Sequence, residues 1–103
     1  MYGTVARMRV KSGHADQLQK LTTEWEQGRG RQVAGFVASY VFQPDNQADS
    51  AILVAIFQSR EAYRANANDP EQDRWFQQLR QHLAADPEWT DGEVIFASGA
   101  QAT

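Results

Sequence analysis

Seven consecutive apolar residues, Ala51-Ile52-Leu53-Val54-Ala55-Ile56-Phe57, do more than any other feature to limit what this chain can fold into. The run is far shorter than the ~20 residues of a membrane-spanning helix, and its length and β-branched content suit a strand. Successive strand side chains point to opposite faces, so a strand that is apolar at every position needs cover on both. The polar segment Gln58-Ser59-Arg60-Glu61 that follows opens a helix, which can cover one face. A chain of 103 residues has little left for the other. The imbalance asks for a second chain.

The rest of the pattern falls into two similar halves. Thr4 to Val10 reads as a strand closed by Lys11-Ser12-Gly13. From His14 the period changes, and Leu18, Leu21 and Trp25 recur at helical spacing. Gly28-Arg29-Gly30 ends that helix, Gly35 leads into a second strand, Phe36 to Phe42, and Pro44-Asp45-Asn46 turns the chain. After the 51–57 strand, Ser59 caps a helix running to about Asn68. Asp69-Pro70 restarts it as N-cap and first helical residue, with Gln72 placed to close a capping box. Trp75, Phe76, Leu79 and Leu83 form its apolar stripe. Asp86-Pro87 stops the helix, Trp89-Thr90-Asp91-Gly92 reads as a tight turn, and Glu93 to Ala97 as the last strand.

This order, β-α-β-β-α-β, joined by right-handed crossovers, predicts an α+β ferredoxin-like fold: an antiparallel sheet with its helices on one face and the apolar strand at its centre. Residues 1–98 form a single domain, and 99–103 a loose tail. Ile52, Val54 and Ile56 fall on the bare face and Leu53, Ala55 and Phe57 beneath the helices. An uncovered Ile-Val-Ile row predicts a homodimer packed sheet to sheet. Arg7 and Arg9 share that bare face, placed to meet carboxylates of a partner or of the last strand.

Composition narrows the function classes. A net charge of −3 with interspersed signs does not fit a nucleic-acid footprint. With no cysteine there is no thiolate nucleophile or disulfide framework. No segment has the length and hydropathy of a membrane span, and the first residues lack signal-peptide character, so a cytoplasmic location is expected. Two histidines, His14 and His82, do not make a metal site by spacing, and no phosphate loop, nucleophile triad or carboxylate pair is visible.

Three stretches resemble the antibiotic biosynthesis monooxygenase superfamily: Val5-Ala6-Arg7-Met8-Arg9-Val10-Lys11-Ser12-Gly13, Val33-Ala34-Gly35-Phe36, and Val54-Ala55-Ile56-Phe57-Gln58-Ser59-Arg60-Glu61-Ala62-Tyr63-Arg64-Ala65-Asn66. The last is similar to that superfamily's third strand, ending in an aromatic, and its polar-Ser-x-Glu-Ala helix start, usually followed by His. The resemblance spans about residues 2 to 97. It implies a dimeric α+β barrel with a small apolar pocket between sheet and helices in each subunit. It also implies an activity range from cofactor-independent oxidation of aromatic polyketides or quinols to haem degradation. Haem degraders carry Asn, Trp and His where this chain has Ala6, Phe57 and Asn66 or Ala67, so haem degradation is not expected. No cofactor or metal is called for.

Within that pocket, Trp25, Phe57, Trp75 and Phe76 either stack a planar aromatic ligand or fill the core. Thr4, Tyr40, Tyr63 and Asn66 are the candidate polar groups that orient a phenol or quinone. His82, seven residues after Trp75, is either a general acid/base at the pocket edge or a histidine flanking the core. Two readings result. In one, Tyr63, Asn66 and His82 are catalytic and the protein is a monooxygenase of a small aromatic. In the other, the pocket binds a small ligand without chemistry, as in a stress-related protein.

Overall fold

A computed structural model describes residues 1–99; the remainder of the expected tail, 100–103, lies outside the described residues. Strand β1 (Tyr2–Arg9) leads to helix α1 (Ala15–Gln27), a 3-10 turn (Arg29–Gln32), strands β2 (Phe36–Phe42) and β3 (Ser50–Phe57), helices α2 (Arg60–Ala67) and α3 (Pro70–Arg80), and strand β4 (Glu88–Glu93). The strands pair antiparallel in the order β2-β3-β1-β4. This is the expected ferredoxin-like α+β arrangement, with the apolar strand β3 inside the sheet.

Local chemistry accounts for most boundaries. Gly28 closes α1, its N–H donating to the Glu24 carbonyl at 3.1 Å. The Ser59 hydroxyl accepts from the Ala62 N–H at 3.1 Å, and the Asp69 carboxylate accepts from the Glu71 N–H at 2.8 Å, so both expected N-caps form. The capping box at Asp69 does not, because Gln72 is drawn into another network described below. Gly35 has φ +80°, a left-handed conformation costly for a side-chain-bearing residue, and a Cβ there would come within 2.6 Å of the Ala62 Cβ.

Two differences from the sequence pattern matter for the site. The last strand is Glu88–Glu93, not 93–97, so Trp89-Thr90-Asp91-Gly92 is extended rather than a turn. The Asp-Gly signal is overridden by pairing with β1, which places Trp89 opposite Ala6 and Asp91 opposite Thr4. Ile95 and Phe96 lie beyond the strand and are exposed. In β2, a bulge between Phe36 and Ala38 inserts one residue against β3, so Ala38 pairs with Ile56 and Tyr40 with Val54. The extra residue inverts the alternation beyond Phe36.

The space between sheet and helices is divided along β1. At its C-terminal end Met8, Val10, Leu18, Ala51, Leu79 and Leu83 form a closed core, with Leu53, Trp75 and Phe76 against it. An antiparallel bridge between Val10 and Leu83 seals that end. At the other end the layer is open.

Candidate functional site

The open end is a cavity of about 440 Å³, within the range that binds small organic molecules. Its walls are mainly aromatic. Trp75 lies against Trp25 (ring centroids 6.1 Å apart), Trp25 edge-on to Phe36 (5.1 Å), Phe36 to Phe57 (5.6 Å), and Phe57 to Tyr63 (5.5 Å). Phe76 and Trp89 extend the wall at a centroid distance of 6.0 Å. Edge-to-face contacts of this kind stabilise the rings in fixed orientations and leave their faces as stacking surfaces.

Two polar groups interrupt the aromatic wall. On one side the Thr4 hydroxyl donates to Asp91 Oδ1 at 2.6 Å, and the Tyr63 hydroxyl donates to the same oxygen at 3.0 Å. β1, α2 and β4 each contribute one residue. Burial, opposed by the neighbouring Thr4 hydroxyl and reinforced by the Asp91 carboxylate, holds the Tyr63 hydroxyl above its ordinary pKa. Tyr63 is therefore a proton donor at neutral pH, and Asp91 is the acceptor beside it.

On the other side the Arg29 guanidinium donates to Asn66 Oδ1 (2.7 Å, from Nη2) and to Gln72 Oε1 (3.1 Å, from Nε). It also lies 3.5 Å from Asp69 Oδ2. Trp25 Nε1 donates to Gln72 Oε1 at 3.0 Å. Arg29 reaches this point because Gly30 lies flat on the Trp25 ring, where a Cβ would approach the ring to 2.6 Å.

Seven of the nine residues singled out from the sequence, Thr4, Trp25, Phe57, Tyr63, Asn66, Trp75 and Phe76, line this one cavity. Tyr40 does not. The bulge in β2 turns it to the outer face of the sheet, where it is exposed, and Ser39 and Val41 line the cavity instead. His82 does not either, because α3 ends at Arg80 and the chain turns away. Its Nδ1 lies 2.9 Å from Nδ1 of His14, a contact that sequence spacing did not suggest. Asp91, Arg29 and Gln72 are the polar residues of the site that the sequence did not single out. Asp91 was hidden by its turn-like Asp-Gly context, and the other two reach the site only through long-range packing. Among the described residues no group of three or more His, Asp or Glu side chains is arranged to hold a metal ion, and no helix is long and apolar enough to cross a membrane.

Residues 1–78 match the sequence profile described as Antibiotic biosynthesis monooxygenase. Among solved structures, similarity extends over nearly the whole chain. SnoaB, a cofactor-independent oxygenase from Streptomyces nogalater, superposes with a TM-score of 0.80 at 16% identity, covering 93% of this chain and 94% of that one. Rv0793 from Mycobacterium tuberculosis gives 0.78 at 14% identity over 95% and 98%. A conserved protein from Methanosarcina mazei Go1 gives 0.78 at 13% over 88% and 89%. At these identities the likeness is one of fold. No curated protein matches the sequence.

Proposed function

The chain belongs to the antibiotic biosynthesis monooxygenase family, and on that premise we propose that it is a cofactor-independent monooxygenase of a small phenol- or quinol-type aromatic. The observation that carries the reading is the convergence of the Thr4 and Tyr63 hydroxyls on Asp91 inside an aromatic cavity. An electron-rich ring stacked among Trp25, Phe57 and Trp75 would be held dry and oriented, with acid and base groups at its edge.

In this reading Asp91 accepts a proton from the ring CH2 of the substrate's keto tautomer. The resulting carbanion supplies its electron pair to dioxygen, and a C–O bond forms. Tyr63 protonates the terminal oxygen and regains its proton from Asp91. O–O cleavage then releases hydroxide, which leaves with the second carbon-bound proton as water. The balance is CH2 plus O2 to C=O plus H2O. Thr4 keeps the Asp91 carboxylate in place. Asn66 supplies an amide to the far side of the substrate. We infer that the active form is a homodimer closed over the outer face of the sheet.

A panel of anthrones and quinols assayed for oxygen consumption tests the reading, with Tyr63→Phe and Asp91→Asn beside the parent. Turnover that falls at least about tenfold in both variants supports it, as expected for loss of general acid–base groups. Saturable binding with no oxygen uptake would support the non-catalytic ligand-binding alternative.

A further inference from the structure

Arg29 imposes an orientation on the cavity that the hydroxyl–carboxylate cluster alone does not explain. A guanidinium can only donate hydrogen bonds, so the atoms it touches on Asn66 and Gln72 are their carbonyl oxygens. The second donor on Gln72 Oε1, the Trp25 indole N–H, fixes the same assignment independently. Both amide NH2 groups are thereby turned away from Arg29. Neither has a hydrogen-bond partner among the described residues. Yet no buried side-chain nitrogen is left unpaired there, so both nitrogens keep open surface, and both residues line the cavity. Asn66 is only 9% exposed, which makes its free donor a partly desolvated one.

We propose that Asn66 and Gln72 form a carbonyl- or oxyanion-binding pair and that Arg29 is its positioning residue, so that the ligand is a hydroxyaryl ketone or quinone. The ligand's carbonyl oxygen faces the two amides, and its hydroxyl, beside the carbon that gives up its proton, faces Asp91 and Tyr63. The cavity is then polarised. One side offers two N–H donors backed by a cation, and the other an anionic acceptor. Negative charge developing on a carbonyl oxygen is stabilised at the amide side, where it lies nearest the guanidinium. An aromatic with a hydroxyl alone satisfies one side only. This assignment rests on the cavity being the ligand site.

A matched pair of probes tests it: 6-hydroxy-1-tetralone and the tetrahydronaphthol that lacks only its ketone oxygen, titrated against quenching of tryptophan fluorescence. The ketone is expected to bind about tenfold more tightly, the fold-change of one desolvated hydrogen bond. Asn66→Asp keeps the Arg29 partner but removes the donor. It should abolish the preference while leaving the tetrahydronaphthol within about twofold, since the transferable loss is that same bond. Arg29→Met should lower the preference, and Arg29→Lys should restore part of it. The carbonyl stretch of the bound ketone should move to lower frequency in the parent and return in Asn66→Asp and Arg29→Met. A purely architectural role for the network predicts equal losses for both probes and no change in the stretch. That result, or equal binding of the two probes to the parent, overturns the proposal while leaving the cavity a ligand site. Failure of both probes to bind overturns the cavity reading as well.

Discussion

Phe57 closes the apolar run that shapes the fold, and it is 2% exposed although it borders a cavity. It holds Phe36 and Tyr63 edge-on, at centroid distances of 5.6 and 5.5 Å, so removing its ring unsupports both neighbours. Phe57→Ala should therefore cost about 3–5 kcal/mol in denaturant unfolding, as for other buried phenylalanines. A loss under about 1 kcal/mol would place the ring on an open wall rather than in the core. Tyr63 carries a second prediction. Its folded-state pKa is raised, first by burial and then by Asp91, so the native state holds this proton more tightly than the unfolded chain. The associated stability is present below the ordinary tyrosine value of about 10 and is lost as pH rises through the folded value. Tyrosinate absorbance should show one residue titrating late, absent in Tyr63→Phe and moved earlier in Asp91→Asn. Alkaline destabilisation should be weaker in Tyr63→Phe.

At the scale of elements, residues whose surroundings follow from strand or helix period were legible in the sequence. Thr4, Phe57, Trp25 and Trp75 sit where the period places them, and the caps at Ser59 and Asp69 form as their residue types require. Tyr40 was misassigned because a bulge changes parity without leaving a local mark in Phe36-Val37-Ala38. Asp91 was misread because Asp-Gly has a strong turn preference, which lost to pairing with the buried strand β1. Arg29 has no local signature and Gln72 only that of a capping box, since their role arises where the 3-10 turn after α1 meets α2 and α3. The His14–His82 contact is of the same kind. It joins the turn before α1 to the turn after α3, beside the Lys11 N–H donating to the His82 carbonyl at 2.9 Å. One Nδ1 donates and the other accepts, so either substitution breaks the same bond. His14→Ala and His82→Ala should each cost about 1 kcal/mol, and the double variant no more than either alone. Ligand binding in the cavity should be unchanged in both. Additive losses in the double-mutant cycle would show that the rings do not interact.

On the scale of the whole molecule, the two faces of β3 have unequal cover. Leu53, Ala55 and Phe57 face the cavity on the helix side, while Ile52, Val54 and Ile56 are half-buried on the face that carries no helix. Val54 is flanked by Val5 on β1 and Tyr40 on β2, and Ile52 by Arg7 and Phe42. Val5, Tyr40 and Phe42 are 37%, 45% and 51% exposed, so an apolar strip crosses the middle of the bare face. Arg7 stands opposite Glu88 at its border, yet Arg7 makes no ion pair among the described residues. An apolar centre with unpaired charge at its rim is the anatomy of a protein interface. Stacking two copies about a two-fold axis would bring Val54 near its own counterpart, because the axis must pass through the middle of a self-complementary patch. Light scattering at micromolar concentration should accordingly give twice 11.6 kDa. Val54→Lys would set two like charges against each other in a desolvated centre, while in a lone chain the same lysine extends into water. It should yield a monomer with an unchanged circular dichroism spectrum. A monomeric parent chain would remove the dimer. An undisturbed dimer in Val54→Lys would move the interface off this face, leaving the apolar strip without a role in assembly.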